Sequence, residues 1–276
     1  MMNSSGSYQI ASIANDVQGE IKRLKAQVNL FWDNEWRHYQ EHGLANATTI
    51  IELGSGPGFL IEKLLNHIPQ ANVTGLEIDP PLLANYAKDY LREKNQKRWQ
   101  VHEGNIMQTG MEDNSYDVAI TRLVLEHLPE PIKAVQEIYR ILKPGGKLMV
   151  VDNDFEMHIM TYPPVPGLRE LYDAYCQARF AEGGNPKIGR ELPILLKDGG
   201  FSNVQFDIVN AHSSLLGDEM FFQSEGVGIP YKLMKDGFLS SKDLAKVSVG
   251  WRKMVQDKHH AIVRQLCLAV GEKPVE

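Results

Sequence analysis

Ile50-Ile51-Glu52-Leu53-Gly54-Ser55-Gly56-Pro57-Gly58-Phe59 is the stretch on which the fold of this chain turns. Thr49 to Leu53 is a short apolar run bounded by a glycine cluster, the pattern of a buried strand. From Leu60 to Ile68 the apolar residues return at helical spacing, and Pro69 stops them. Glycines let a backbone turn sharply and approach a ligand closely, at φ values that other residues resist. The helix behind such a turn aims its unpaired N–H groups back at the site. A plain tight connection between strand and helix also uses glycine, so the turn by itself indicates only a nucleotide-like ligand.

Outward from the turn, strands and helices alternate. Val73 to Ile78, Trp99 to His102, Tyr116 to Ile120 and Lys147 to Val151 read as further strands. Pro80 and Pro81 suit the first turn of a helix whose apolar side is Leu83, Ala87, Tyr90 and Leu91. Ile132, Val135, Tyr139 and Leu142 mark another helix, ended by Pro144-Gly145-Gly146. Repeated strand–helix–strand units predict an α/β fold, a mostly parallel sheet with helices on both faces. Ligands of such sheets bind beyond the carboxyl ends of the strands. Upstream, Ile13, Val17, Ile21, Leu24, Val28 and Phe31 give an amphipathic helix, with a second helical stretch around Trp32 and Trp36. Downstream, the chain starts irregularly from Asp154, then offers helix, helix and the strand Val204 to Val209. The rest is mainly helical, with a capping box at Ser240-Ser241-Lys242-Asp243 and a last strand at Cys267 to Val270.

The spacing of the glycines separates two ligand classes. A dinucleotide-binding turn has the form G-x-G-x-x-G, whose third glycine permits close helix–strand packing. Counted from Gly54 and Gly56 it would fall on Phe59, which is too bulky for that role. The third glycine is Gly58 instead, giving G-x-G-x-G preceded by the acidic Glu52. In this form the sequence resembles the class I S-adenosylmethionine-dependent methyltransferases, whose first motif is E/D-x-G-x-G-x-G. Ser55 lies inside that motif.

The later elements of the resemblance follow in order, from about Ile50 to Val151. Glu77 ends the second strand, where the family uses an acidic residue for the cofactor ribose, and Ile78 stands beside it. Asp79 is the rival carboxylate, but it better suits a helix N-cap. Gly104-Asn105-Ile106 occupies the place of the family's G-D-apolar motif, which implies a side chain on the adenine amino group and the Ile106 N–H on a ring nitrogen. An amide oxygen in place of the usual Asp still accepts that hydrogen bond. Tyr116 to Leu128 is similar to the fourth strand and its loop, which implies that the backbone at Arg122 and Leu123 meets the cofactor's amino group. His127 would then stand near the methyl-transfer region, although helix packing accounts for a histidine there equally well. Glu20 to Gln27 resembles an N-terminal helix of bacterial relatives that modify small molecules. There Arg23 or Gln27 would fold over the cofactor, with Tyr8 a further lid candidate, against the alternative of a solvated polar face.

The expected architecture is therefore a Rossmann-like core with helical N-terminal and C-terminal cover elements. Residues 1–47 form the N-terminal lid, 48–210 and 263–276 the S-adenosylmethionine-binding core, and 211–262 a helical insertion over the substrate. The expected chemistry is in-line displacement at a sulfonium methyl group by an oxygen, nitrogen or carbon of the acceptor, which asks mainly for alignment and exclusion of water. A hydroxyl acceptor would use a general base, for which His127, His158 and His212 are the candidates. Met157, Tyr162, Tyr172, Phe221 and Phe222 suggest a small, fairly apolar acceptor of the natural-product or quinone type.

Several chemistries are disfavoured. Asp79-Pro80-Pro81-Leu82 lacks the aromatic residue of an amino-group DNA methyltransferase motif and stands after the wrong strand. Neither Cys176 nor Cys267 follows a proline, as a cytosine C5 nucleophile would. Asp152-Asn153-Asp154 has the look of a metal-dependent catechol site, but the partner Asp expected after the fourth strand is absent, so no metal is expected. With 29 basic and 35 acidic residues among 276, net charge −6, the chain lacks a nucleic-acid binder's footprint. No apolar run approaches membrane-spanning length and no signal peptide is visible. Two unpaired cysteines fit a reduced cytoplasm. A homodimer stays open. So do two other classes: a nucleotide-dependent oxidoreductase, which Phe59 opposes, and a cofactor-binding protein without catalysis.

Overall fold

A computed structural model describes residues 17–79, 83–94, 96–225 and 228–275. Tyr8 and the Pro80-Pro81 helix start lie outside the described residues. Strands β1 (Thr49–Leu53), β2 (Asn72–Glu77), β3 (Trp99–Glu103), β4 (Tyr116–Arg122) and β5 (Leu142–Asp152) stand in the order β3-β2-β1-β4-β5, all parallel. The antiparallel β8 (Ala261–Glu272) pairs with β5 through its second half. Its first half pairs with β6 (Ile159–Tyr162), and β7 (Ser202–His212) runs along its other edge. The expected mostly parallel sheet is therefore present.

Three expectations are refined. Helix α1 (Val17–Glu41) is one unbroken element rather than two, because neither Gly nor Pro interrupts residues 20–41. Gly43 at φ 87° ends it in the left-handed conformation. Strand β6 was not foreseen; its four residues are followed directly by Pro163, and Met160 and Tyr162 remain exposed, so the signal is that of an edge. Strands β7 and β8 are far longer than the apolar runs that announce them, since their solvent-facing halves carry polar residues.

Alternation along the strands divides the core between the two faces. Ile50 of β1 joins one apolar cluster with α1, α2 (Phe59–His67) and α3 (Asn85–Glu93), including Phe31, Leu60, Leu64 and Leu91. Its neighbour Ile51 joins the other, with Val135 and Ile138 of α4 (Pro131–Ile141). A third cluster lies outside the sheet, in α5 (Leu168–Ala181) and what packs on it. Helix α6 (Leu192–Asp198) completes the second layer. After β7 come α7 (Ser213–Leu216), α8 (Asp218–Glu225), α9 (Gly228–Lys235) and α10 (Ser241–Val255), before the chain returns as β8. Ser240 caps α10 by accepting from the Asp243 N–H at 3.1 Å, as its capping box predicts. Helix α8 packs against α1.

Candidate functional site

A cavity opens where β1, β2 and β4 end, walled by the glycine turn, the loops after β2, β3 and β4, and one side of α1. Its lining brings together Glu52, Gly54, Ser55, Gly56, Glu77, Ile78, Asn105, Ile106, Arg122 and Leu123. The N-terminal helix contributes Arg23 and Gln27. Gly54 needs its glycine twice over: φ is 75°, and an added Cβ would lie 2.4 Å from a methyl of Val124. Gly58 is the N-cap of α2 at φ 81°, against Ala87. Phe59 is buried and meets the Tyr90 ring edge-on at 4.9 Å, so the position a dinucleotide fold reserves for glycine here carries core packing.

Glu77 holds the turn it faces. Its carboxylate accepts from the Gly56 N–H at 2.7 Å and from the Asp79 N–H at 3.0 Å. Burial pushes its pKa up, and these backbone donors work against that. A carboxylate offers about four acceptor sites, so these donors leave acceptor capacity for a ligand hydroxyl. The Asn105 Oδ1 already accepts from the Met107 N–H at 2.9 Å, which locks the loop and leaves its second lone pair and its NH2 for a ligand.

Arg122 combines two roles. Its backbone ends β4 at the cavity, but its buried side chain turns to α1, where Nε donates to Glu35 at 3.0 Å and Nη2 to the Gln27 carbonyl at 3.1 Å. Tyr39 also donates to Glu35, at 3.4 Å. Desolvation penalises the Arg122 charge, but Glu35 more than compensates and holds its pKa above the ordinary value. This ion pair clamps α1 to the core, and its only sequence signal was Glu35 on an otherwise apolar face. Leu123 follows at φ 57°, a conformation that non-glycine residues rarely adopt, and its N–H donates to Val151 at 2.8 Å. Glu52 is buried, and burial pushes its pKa well up. Its Oε2 has no hydrogen-bond partner among the described residues.

Beyond β4 the wall carries Glu126 and His127, within the short helical turn Leu125–His127. His127 Nδ1 accepts from the Arg179 guanidinium at 3.3 Å, and desolvation, then Arg179, lowers its pKa to about 3. With that lone pair engaged, His127 is a neutral donor through Nε2 rather than a base. Glu126 was not singled out from the sequence. Burial raises its carboxyl to about 7, against the pull of Asn153 and Arg179. Asn153 Nδ2 donates to Glu126 Oε1 at 2.7 Å. Asn153 Oδ1 meets His158 Nδ1 at 3.1 Å, and His158 Nε2 meets Glu225 at 3.3 Å.

The structure therefore separates the three histidines. His127 reaches the cavity, whereas His158 is buried behind the wall, joined to Asn153 and Glu225. His212 closes β7 as N-cap of α7, accepting from the Ser214 N–H at 3.1 Å, away from the cavity. Asp152 and Asp154 do not line the cavity either. Asp152 accepts backbone N–H groups of Glu126 and Asn153, and Asp154 pairs with Arg190. Among the described residues, no group of three His, Cys, Asp or Glu side chains is placed to hold a metal. The aromatic candidates also lie elsewhere: Phe221 is wholly buried, Tyr172 packs on Phe155, and Met157, Tyr162 and Phe222 are exposed. No helix among the described residues is long and apolar enough to cross a membrane.

Comparison with known proteins agrees with this geometry. The sequence family described as "Methyltransferase domain" matches residues 51–150. A demethylmenaquinone methyltransferase of Lactococcus lactis is 24% identical over 243 residues, 87% of this chain and 90% of that protein. An uncharacterized protein of a Streptomyces fradiae transposon is 30% identical over 153 residues, 55% of this chain and 43% of its own length. The chain thus spans less than half of that relative. Among solved structures, the Haemonchus contortus phosphoethanolamine N-methyltransferase 2 in complex with S-adenosyl-L-methionine superposes with a TM-score of 0.60 at 16% identity, covering 98% of this chain and 61% of that one. The matched segment, residues 51–150, carries the glycine turn, the β2 and β3 loops and the β4 wall of the cavity, so the cavity lies in the part of the chain that is similar to a methyltransferase domain.

Proposed function

We propose that the protein transfers a methyl group from S-adenosylmethionine to a small-molecule acceptor. The observation that carries this is the convergence, on one cavity, of Glu77 and Asn105 at one end with Glu52 and the Arg122–Leu123 backbone at the other. The residues fit the cofactor. Glu77 has acceptor capacity left for a ribose hydroxyl, and the buried, unpartnered Oε2 of Glu52 offers an acceptor for an ammonium group. When bound, S-adenosylmethionine supplies an electrophilic methyl group on a sulfonium that already favours departure. The protein's own part is to hold donor and acceptor in line and keep water out.

The acceptor end joins apolar Leu24, Val28 and Leu128 to polar Arg23, Glu126 and His127. An apolar ring carrying a hydroxyl matches that lining, which keeps the quinone type among the acceptors. The demethylmenaquinone methyltransferase relative supports the same choice. The test is incubation with methyl-labelled S-adenosylmethionine and a deproteinised metabolite extract, resolved by mass. The expected result is a labelled product one methyl group heavier than an extract component. S-adenosylmethionine bound but returned unchanged, with every fraction unlabelled, would instead identify a cofactor-binding protein without catalysis.

A further inference from the structure

We propose that Glu126 is the proton acceptor of the transfer step, its free Oε2 receiving the proton that a hydroxyl acceptor loses as the methyl group arrives. The inference rests on the cofactor assignment above. Three features of the structure support it.

Position comes first. Glu77 marks the ribose end at β2, and β1 separates β2 from β4. Neighbouring strands lie about 4.8 Å apart, so the wall beyond β4 stands about 10 Å across the cavity from Glu77. Glu126 lines that wall. Free valence comes second. Glu126 is only 2% exposed, its Oε1 is taken by Asn153, and its Oε2 has no hydrogen-bond partner among the described residues. A buried oxygen in that state is rare unless a ligand completes it. Third, the neighbouring candidates are engaged: His127 Nδ1 by Arg179, and His158 by Asn153 and Glu225. Asn153 is a positioning residue, fixing the carboxyl through Oε1.

Burial raises this carboxyl, the surrounding guanidiniums hold it back, and His127 Nε2 stands 3.6 Å from its Oε1. Arg23 with Glu20 approaches from α1, Arg179 with Glu182 and Tyr175 from α5, and Arg264 with Glu225 from β8 and α8. Asp152 at the end of β5 adds a carboxyl of like charge, whose own pKa burial and then Glu126 push up. In the step itself the acceptor oxygen forms a bond to the methyl carbon, the sulfur–carbon bond breaks with its electron pair left on sulfur, and the hydroxyl proton passes to Glu126. The products are a methyl ether, a neutral thioether and a protonated Glu126, which returns its proton to water.

A carboxyl that faces the methyl-bearing centre must sense the sulfonium charge. S-adenosylmethionine carries that charge and S-adenosylhomocysteine does not. Calorimetry of the full chain with each ligand, in buffers of different ionisation enthalpy, counts the protons exchanged. The ligand's own amino group titrates alike in wild type and variant, so the difference between the two proteins isolates Glu126. Wild type is expected to release more protons with S-adenosylmethionine than E126Q does, around neutral pH. Its preference for S-adenosylmethionine over S-adenosylhomocysteine should rise about tenfold from about pH 5.5 to about pH 8.5, and E126Q should flatten that rise. N153A, which loses the amide that favours the ionised carboxyl, should move the rise to higher pH, and decides the matter if E126Q does not fold. Parallel profiles and equal proton counts in wild type and both variants would overturn the proposal while leaving the cofactor assignment intact. Failure of wild type to bind either ligand would overturn both.

Discussion

Gly54 shows how much one residue specifies. Its positive φ and the 2.4 Å approach of Val124 leave no room for a methyl group. Gly54→Ala is expected to cost about 2–4 kcal/mol, combining left-handed strain with overpacking, and to weaken S-adenosylhomocysteine binding. Thermal melting and calorimetry would check both. Gly54, Gly58, Glu77 and Asn105 were legible in the sequence because glycine and carboxylate requirements are local, set within a few residues of a strand end. Glu126 was not, because what distinguishes it is an unpartnered oxygen, and that depends on Asn153 some 27 residues away. His127 was visible as one base candidate, but Arg179, which occupies its Nδ1 lone pair, arrives from α5.

Between elements, buried charge decides how α1 is attached. Arg122 sits 9% exposed against Glu35, which is 0% exposed. Glu35→Ala leaves that guanidinium buried without its partner, at an expected cost of about 3–5 kcal/mol. Limited proteolysis should then cut in α1 before the rest of the chain, and unchanged resistance would show that apolar packing alone holds the helix. Asp117 staples the start of β1 to β4, accepting from the Thr48 and Thr49 N–H groups at 2.9 Å each and from Lys143 at 2.7 Å. Desolvation raises its pKa, but these donors outweigh it and hold the carboxyl below the usual range. A depressed carboxylate contributes stability that is present above its unfolded pKa and is lost as pH falls. The melting temperature of Asp117→Asn should therefore fall less than wild type's between about pH 6 and about pH 3. Helix α1 itself was legible as an amphipathic pattern, whereas its single-piece form and its clamp were not. The clamp depends on Arg122, which lies 87 residues from Glu35.

At the scale of the molecule, the centre of the parallel half was readable because β1, β4 and β5 carry apolar runs, as buried strands do, and β2 and β3 followed from the strand–helix alternation around them. The antiparallel half was only partly readable. Strands β7 and β8 alternate polar and apolar residues, and β6 is a four-residue edge. Of the aromatic residues expected to shape the acceptor pocket, Phe221 and Tyr172 belong to packing, and the cavity wall instead mixes apolar Leu24, Val28 and Leu128 with polar Arg23, Glu126 and His127. What unites the molecule is the cavity at the carboxyl ends of β1, β2 and β4, with Glu77 as its most direct probe. Calorimetry of wild type and Glu77→Ala with S-adenosylhomocysteine tests this most directly. Wild type should bind one equivalent, and the variant, losing charge-assisted bonds, should bind about tenfold to a hundredfold more weakly. No binding to wild type, or the same affinity in both proteins, would contradict the cofactor site.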